Sequence, residues 1–365
     1  MSQHTQKLFV GIDAHLESLS IAVLAESADQ PEPVRVVPNE PSKVRRYFRG
    51  LGKRGPIEAV YEAGCLGFVL HRQLTGLGID CTVAAPSRIP QLPGDHRKTD
   101  RLDAQRLAVF LRGKQLTAVT PPTPELESLR SLMRLRLAIQ QDVVRSRHRL
   151  QKFLLMRGHA FRGGGNWSAA HMRWLAELSL ELGEDQVTLD FLRMELDSRV
   201  SGLKVLDERI ARRAKDEDVA DQVVALRTFR GVGVLTAMCV IAEIGDPRRF
   251  RCAQQVASYC GLVPSEHSSG GRVRRGAITK AGNPRLRRLL VEAAQHAGRP
   301  LGPGYAREAR RAQAPAAVVA IAREADQRLS LRYKQLLRRM HTNKAKTAVA
   351  REHIGLLWRA LLLTA

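Results

Sequence analysis

The chain has 365 residues, enough for two or three domains, and is 44% hydrophobic but only 5% aromatic, which predicts aliphatic, mainly helical cores. Fifty-nine Lys and Arg against 36 Asp and Glu leave a formal charge of +23, an excess that calls for a polyanionic partner, most simply nucleic acid, the plainer alternative being a generally basic surface. Cys65, Cys81, Cys239, Cys252 and Cys260 are odd in number and lack C-x-x-C spacing, which excludes a zinc ribbon or disulfide framework and predicts buried small residues in a reducing compartment; no apolar run reaches the roughly 18 residues of a membrane span, and no signal peptide is read, so a cytosolic protein with no membrane partner is expected.

In chain order, "KLFVGIDAHLESLSIAVLAE" reads as strand, tight turn, strand, with Leu8, Val10 and Ile12 and then Leu19, Ile21 and Val23 alternating. "VRRYFRGL" predicts a helix and "PIEAVYEAG" a short buried strand ending at Glu62. "CLGFVLHRQLTGLG" has helical spacing, and "IDCTVAAP" is a strand stopped by Pro86. "KTDRLDAQRLAVFLRG" is a helix stopped by Gly113. Strands alternating with helices make residues 1–118 an α/β domain. The proline-rich "TAVTPPTPELE" marks a boundary. Two long helical stretches around "RGGGN" then fill 119–222 as an antiparallel coiled-coil hairpin or bundle. From 223 to 365 the chain is mainly α-helical, opening with Gly231-Val232-Gly233 between two apolar helical segments.

Four acids stand out. Asp13 closes the first strand, Glu62 closes a later one, and Asp100 and Asp103 lie three apart on one helix face. Carboxylates converging from such places repel unless a divalent cation joins them, and hard oxygen ligands suit Mg²⁺ or Mn²⁺, the ions of phosphodiester-cutting centres. The plainer reading makes Asp100 a helix N-cap, Asp103 a first-turn acid and Asp13 a turn residue.

The pieces "GIDAHLES", "YEAG" and "KTDRLDA", in this order, resemble the DEDD tetrad of a RuvC-like, ribonuclease-H-fold domain. Together they resemble the DEDD transposases of bacterial insertion sequences, in the family numbered one hundred and ten that includes the Piv-type invertases. The match assigns catalytic and metal-binding roles to Asp13, Glu62, Asp100 and Asp103.

The second informative stretch is "YCGLVPSEHSSGGRVRRGAITKAGNPRLRRLL". Arg272, Arg274, Arg275, Lys280, Arg285, Arg287 and Arg288 follow one another there with no acid between, so the segment reads as nucleic-acid-binding. Ser268 and Ser269 stand just before it. A serine hydroxyl among cations could attack a phosphodiester, or the loop could merely contact backbone phosphate. Gly261, Leu262, Pro264, Ser269, Gly270, Lys280, Gly282, Asn283, Leu286 and Arg287 match the C-terminal domain of the same family, which implies that Ser269 is a nucleophile that becomes linked to DNA, with Ser268 as the adjacent alternative. "RGVGVLTA" resembles a helix-hairpin-helix turn, in which Gly231 and Gly233 would let backbone amides hold phosphate; it reads equally as a glycine-rich turn between core helices. The segment after about residue 300 adds little to the resemblance.

The resemblance implies a transposase or recombinase that cuts and rejoins DNA through a phosphoserine intermediate. It further implies guidance by a structured noncoding bridge RNA, a dimer or tetramer in which subunits complete one another's sites, and action at the bacterial nucleoid. The main rival is a RuvC-like junction nuclease that uses water as nucleophile, which leaves the serine segment without a role. An actin-like ATPase has no reason for so much positive charge, and a non-enzymatic nucleic-acid binder would tolerate loss of all four acids.

Overall fold

A computed structural model describes residues 6–90, 99–266, 274–299 and 304–364. The chain divides into two compact units, residues 1–122 and 123–365. The first carries β1 (Leu8–Ala14), β2 (Ser18–Ala25), β3 (Arg35–Pro38), α1 (Pro41–Gly52), β4 (Ile57–Glu62), α2 (Val69–Thr75), β5 (Asp80–Ala84), α3 (Asp100–Arg112) and β6 (Ala118–Val119). The sheet order is β3-β2-β1-β4-β5-β6. β1 to β3 are antiparallel neighbours, β1, β4 and β5 run parallel, and β6 returns antiparallel. This mixed sheet fits the RuvC-like expectation.

Alternation along the strands decides the layers. Leu8, Val10, Ile12, Ala59 and Tyr61 pack with Val44, Phe48, Leu70 and Leu74 of α1 and α2 on one face. Phe9, Ala22, Leu24, Val60 and Ala84 meet Ala104, Leu107, Ala108 and Leu111 of α3 on the other. The parallel strands are therefore covered on both sides, as parallel pairing requires.

The second unit is mostly helical: α4 (Pro124–Met156), α5 (Ala169–Glu177), α6 (Gly183–Arg213), α7 (Glu217–Arg227), α8 (Val234–Ile244), α9 (Ala253–Tyr259), the paired strands β7 (Pro264–Glu266) and β8 (Arg275–Ile278), α10 (Pro284–Ala294), α11 (Tyr305–Arg311), α12 (Ala316–Leu337) and α13 (Thr342–Leu362). α4 and α6 run antiparallel, since Arg136 meets Asp207 at 2.7 Å, Arg149 meets Glu195 at 2.6 Å and Arg157 meets Asp185 at 2.8 Å, one helix ascending as the other descends. Val143, Leu150 and Leu154 pack against Leu189 and Leu196, with Leu175 of α5 added to the cluster.

One expectation needs correction. Cys81, Cys239 and Cys260 are buried, but Cys65 and Cys252 are exposed, so small size did not guarantee burial. All five are free, and burial pushes the three buried thiols up to about 12. Val318, Leu329, Ile354 and Leu357 of α12 and α13 complete the aliphatic core around α8 and α10. Among the described residues, no helix is long and apolar enough to cross a membrane.

Candidate functional site

The acidic site is built by a close approach of α3 to β1. A Cβ on Gly11 would stand 2.0 Å from the Ala104 carbonyl oxygen and 2.5 Å from the Ala108 nitrogen. Only glycine, facing two alanines one turn apart, lets the helix backbone lie this close to the strand. Asp13 is two residues beyond Gly11 and so points to the same sheet face. Asp100 is one turn before Ala104 and lies on the same helix face. The contact that joins the two elements thus aims both carboxylates into one space.

The structure brings Asp13 and Asp100 together with a third residue, His15. A carboxylate oxygen of each acid and a ring nitrogen of His15 fall within 4.8 Å of one another. His15 Nε2 lies 3.3 Å from Asp13 Oδ2 and 3.4 Å from Asp100 Oδ2. The turn after β1 fixes the histidine: its amide donates to the Ser18 carbonyl at 2.9 Å, and its carbonyl accepts from Asn39 Nδ2 at 2.8 Å. Glu62 and Asp103 stand outside this tight group. Glu62 follows Tyr61, the partner of Ile12, so it ends the strand beside Asp13, and pleating puts it on the α3 face with Val60. Asp103 lies 3.8 Å from Arg106 on its own helix.

The capping explanation of Asp100 does not hold, because Thr99 takes that place. Its hydroxyl accepts from the Leu102 amide at 3.3 Å, and its carbonyl accepts from the Asp103 amide at 3.0 Å. Both acids occupy the first turn, where the helix dipole favours negative charge. Among the described residues no Lys or Arg pairs with Asp13 or Asp100. Two carboxylates and an imidazole at this separation form a donor set for a divalent cation, the nitrogen suiting Mn²⁺ better than Mg²⁺. Sequence reading missed His15, although "DAH" places it two residues from Asp13; nothing local shows that the turn folds its ring back over the strand end.

The second constellation rests on a buried carboxylate. Glu243, fully buried at the end of α8, accepts from Arg134 Nε and Nη2, both at 2.8 Å, and from Asn283 Nδ2 at 2.8 Å. Burial pushes its carboxyl up, but the Arg134 hydrogen bonds and charge and the Asn283 hydrogen bond outweigh this and leave it below the usual range. Asn283 also caps α10, its Oδ1 accepting from the Arg285 and Leu286 amides at 3.0 and 3.1 Å. One motif residue therefore ties α10 to α8 and, through Arg134, to α4. Arg287 Nη1 donates to the Cys260 and Lys280 carbonyls, Arg288 pairs with Glu292 at 3.0 Å, and Arg275 lies 3.7 Å from Glu266. Lys280 holds a left-handed φ of +54° between β8 and α10. Arg274 and Arg285 are exposed. Ser268, Ser269, Gly270 and Arg272 lie outside the described residues. Gly231 and Gly233 lie in the turn between α7 and α8, Gly231 with φ +74°.

Residues 10–156 match the profile of a transposase family of the DEDD, IS110 type, and residues 224–307 match that of the transposase IS116/IS110/IS902 family. The chain is 36% identical to the Sinorhizobium fredii protein y4qE over 97% of its own length and 88% of that protein. It is 30% identical to the transposase for insertion sequence element IS1533 of Leptospira borgpetersenii, over 91% of this chain and 97% of the relative. It is 27% identical to the transposase for insertion sequence element IS1111A of Coxiella burnetii, over 80% and 74%.

Proposed function

Because the chain belongs to the IS110 family of insertion-sequence transposases, DNA-binding enzymes whose DEDD domain implies dependence on a divalent metal, we propose that it cuts and rejoins DNA through a phosphoserine link to Ser269. The observation that carries the reading is the convergence of Asp13 and Asp100 across the Gly11 contact. Asp13, Glu62, Asp100 and Asp103 would hold Mg²⁺ or Mn²⁺, with His15 as an added ligand. Such an ion, when bound, offsets the charge that builds on a phosphate during displacement. The serine oxygen forms a bond to phosphorus as the bond to the departing strand end breaks, and that strand takes the serine's proton. A hydroxyl of the incoming strand reverses the step and releases the serine. Lys280 and the arginines of 274–288 balance phosphate charge, and the amides near Gly231 and Gly233 hold backbone.

We assign the acidic chemistry to residues 1–118, the oligomer contact to 119–222 and the nucleophile to 223–365. A bridge RNA supplies sequence choice by base pairing, in keeping with the +23 charge and the lack of a base-reading motif in the sequence. A dimer or tetramer forms through α6, whose Val187, Phe191, Met194 and Val205 are 57–63% exposed at near-heptad spacing. The enzyme works at the nucleoid.

The test is a denaturing gel of the full chain with labelled element-junction DNA, RNA from the element's flank and Mg²⁺ or Mn²⁺. A labelled band at protein size is expected, lost in Ser269→Ala and on chelation. Asp13→Asn and Asp100→Asn are expected to lower cleavage on the order of 10²-fold or more with DNA binding retained. Nicked DNA without an adduct would assign the site to a nuclease that uses water.

A further inference from the structure

The turn between α7 and α8 gathers more positive charge than the nearby acids answer. Arg227 closes α7, Arg230 lies in the turn, Arg299 follows α10, and Arg307, Arg310 and Arg311 lie on α11. Among the described residues two carboxylates face them. Asp326 of α12 lies 2.7 Å from Arg311 and 3.7 Å from Arg307, and Glu308 of α11 lies 2.9 Å from Arg311. Arg311 is only 4% exposed and also donates to the Thr228 and Ala322 carbonyls, both at 3.3 Å, so its role is to fasten α11 to the turn. Arg230 Nη2 donates to the Arg299 carbonyl at 3.0 Å.

This leaves Arg227 and Arg310 unanswered. Neither forms an ion pair among the described residues, and the Nε of each is buried without a hydrogen-bond acceptor. Burial first, then the neighbouring cations of Arg227, Arg307 and Arg311, press the Arg310 guanidinium below its usual range. Burial and the charges of Arg307, Arg299 and Arg311 do the same to Arg230, against the opposing pull of Asp326. A guanidinium does not lose its proton to escape such repulsion. The cost persists until an anion arrives, and a phosphate matches the planar fork with two oxygens at once. The turn cannot drift to relieve the strain, because Gly231 sits with its α-carbon against α10, where a Cβ would come 2.6 Å from the Ala293 carbonyl.

We propose that Arg227, Arg230, Arg307 and Arg310 form a binding site for a nucleic-acid backbone phosphodiester, contributed largely by a segment that lies outside the basic run 272–288. The site extends the glycine turn from a pair of amides to a charged seat, and it gives the C-terminal segment a contact with nucleic acid as well as a place in the core. The proposal rests on the family's DNA binding and not on serine chemistry, so it is read by binding alone.

The experiment compares the full chain with an Arg227→Gln, Arg310→Gln double variant on two probes, an unrelated-sequence DNA duplex and an RNA transcribed from the element's flank, each titrated across a salt series. The expected result is affinity about tenfold weaker near physiological salt and a log–log salt slope shallower by about two. Thermal stability of the free protein should be unchanged or higher, because a repulsion has been removed. Loss on the duplex alone assigns the site to DNA, loss on the transcript alone to RNA, and loss on both to a shared phosphate contact. Unchanged affinity and slope on both probes would overturn the proposal. So would weaker affinity at an unchanged slope, which is the mark of a distorted fold and not of a lost phosphate contact. If the double variant fails to fold, Arg310→Gln alone is read the same way, with a slope change of about one.

Discussion

The two units treat their key carboxylates in opposite ways. In the first, Asp13 and Asp100 are brought together by backbone packing and, among the described residues, pair with a histidine alone, with Asp100 62% exposed. In the second, Glu243 is sealed in the core and held by a two-pronged arginine and an asparagine. A carboxylate whose partners are all supplied by the protein is architecture; converging carboxylates left open at a strand end are available to a ligand. Among the described residues no Lys or Arg pairs with Asp13 or Asp100, whereas Arg134 grips Glu243 with two nitrogens. A guanidinium at that strand end would occupy the place of a cation.

The comparison can be broken most severely at Gly11. Gly11→Val would drive side-chain atoms into the α3 backbone, and overpacking against a rigid neighbour costs about 3 kcal/mol or more. The expected outcome is loss of cooperative unfolding of the first unit, seen by calorimetry. If the unit survives, α3 is displaced and Mn²⁺ binding, followed by paramagnetic resonance, disappears. Retention of both stability and Mn²⁺ binding would show that the close approach does not build the site.

The second test is Glu243→Gln. Arg134 is half-exposed, but the glutamine amide nitrogen would face two donors where the carboxylate oxygen accepts, so chemical denaturation should show a loss of about 3 kcal/mol or more confined to the second unit. Replacing both partners, Arg134→Met with Glu243→Met, should recover most of it, since an apolar pair carries no desolvation cost. No such rescue applies to Asp13 and Asp100, whose removal should leave stability nearly unchanged.

The third effect is smaller and depends on pH. His353 of α13 is 2% exposed, and burial pushes its imidazole down to about 4. The unfolded chain takes up this proton near the ordinary histidine value of about 6.5, so stability is intact above that pH and declines as pH falls towards 4. The loss reaches about 3 kcal/mol at the acid end, and His353→Leu should flatten it in thermal melts across the pH range.

Much of the first unit was legible in the sequence because its signals are local. Alternation in "LFVGID" and "LSIAVL" marked β1 and β2, and Gly113 marked the end of α3. Two short edge strands, β3 and β6, carry too few residues for any period and escaped notice. The two long helices of the second unit were legible by their length. β7 and β8 were not, since four residues such as "RGAI" have no strand pattern of their own and pair only because the chain returns. Glu243 sat unremarked in "VIAEIGD", because a lone acid in an apolar helix is indistinguishable from a surface residue until its partners, more than a hundred residues before it and forty after, are in place.

By itself the sequence determined the charge that commits this protein to nucleic acid, the α/β character of its first part, and four acids and a serine in an order that matches one family. Those properties are carried by residue type and by spacing along the chain. Tertiary structure alone decided that His15 joins Asp13 and Asp100, that Glu243 anchors Asn283, and that arginines from α7 and α11 face one another across a glycine turn. Each of these is a distance between residues separated by a fold, and such distances follow from how layers pack, which no local pattern records.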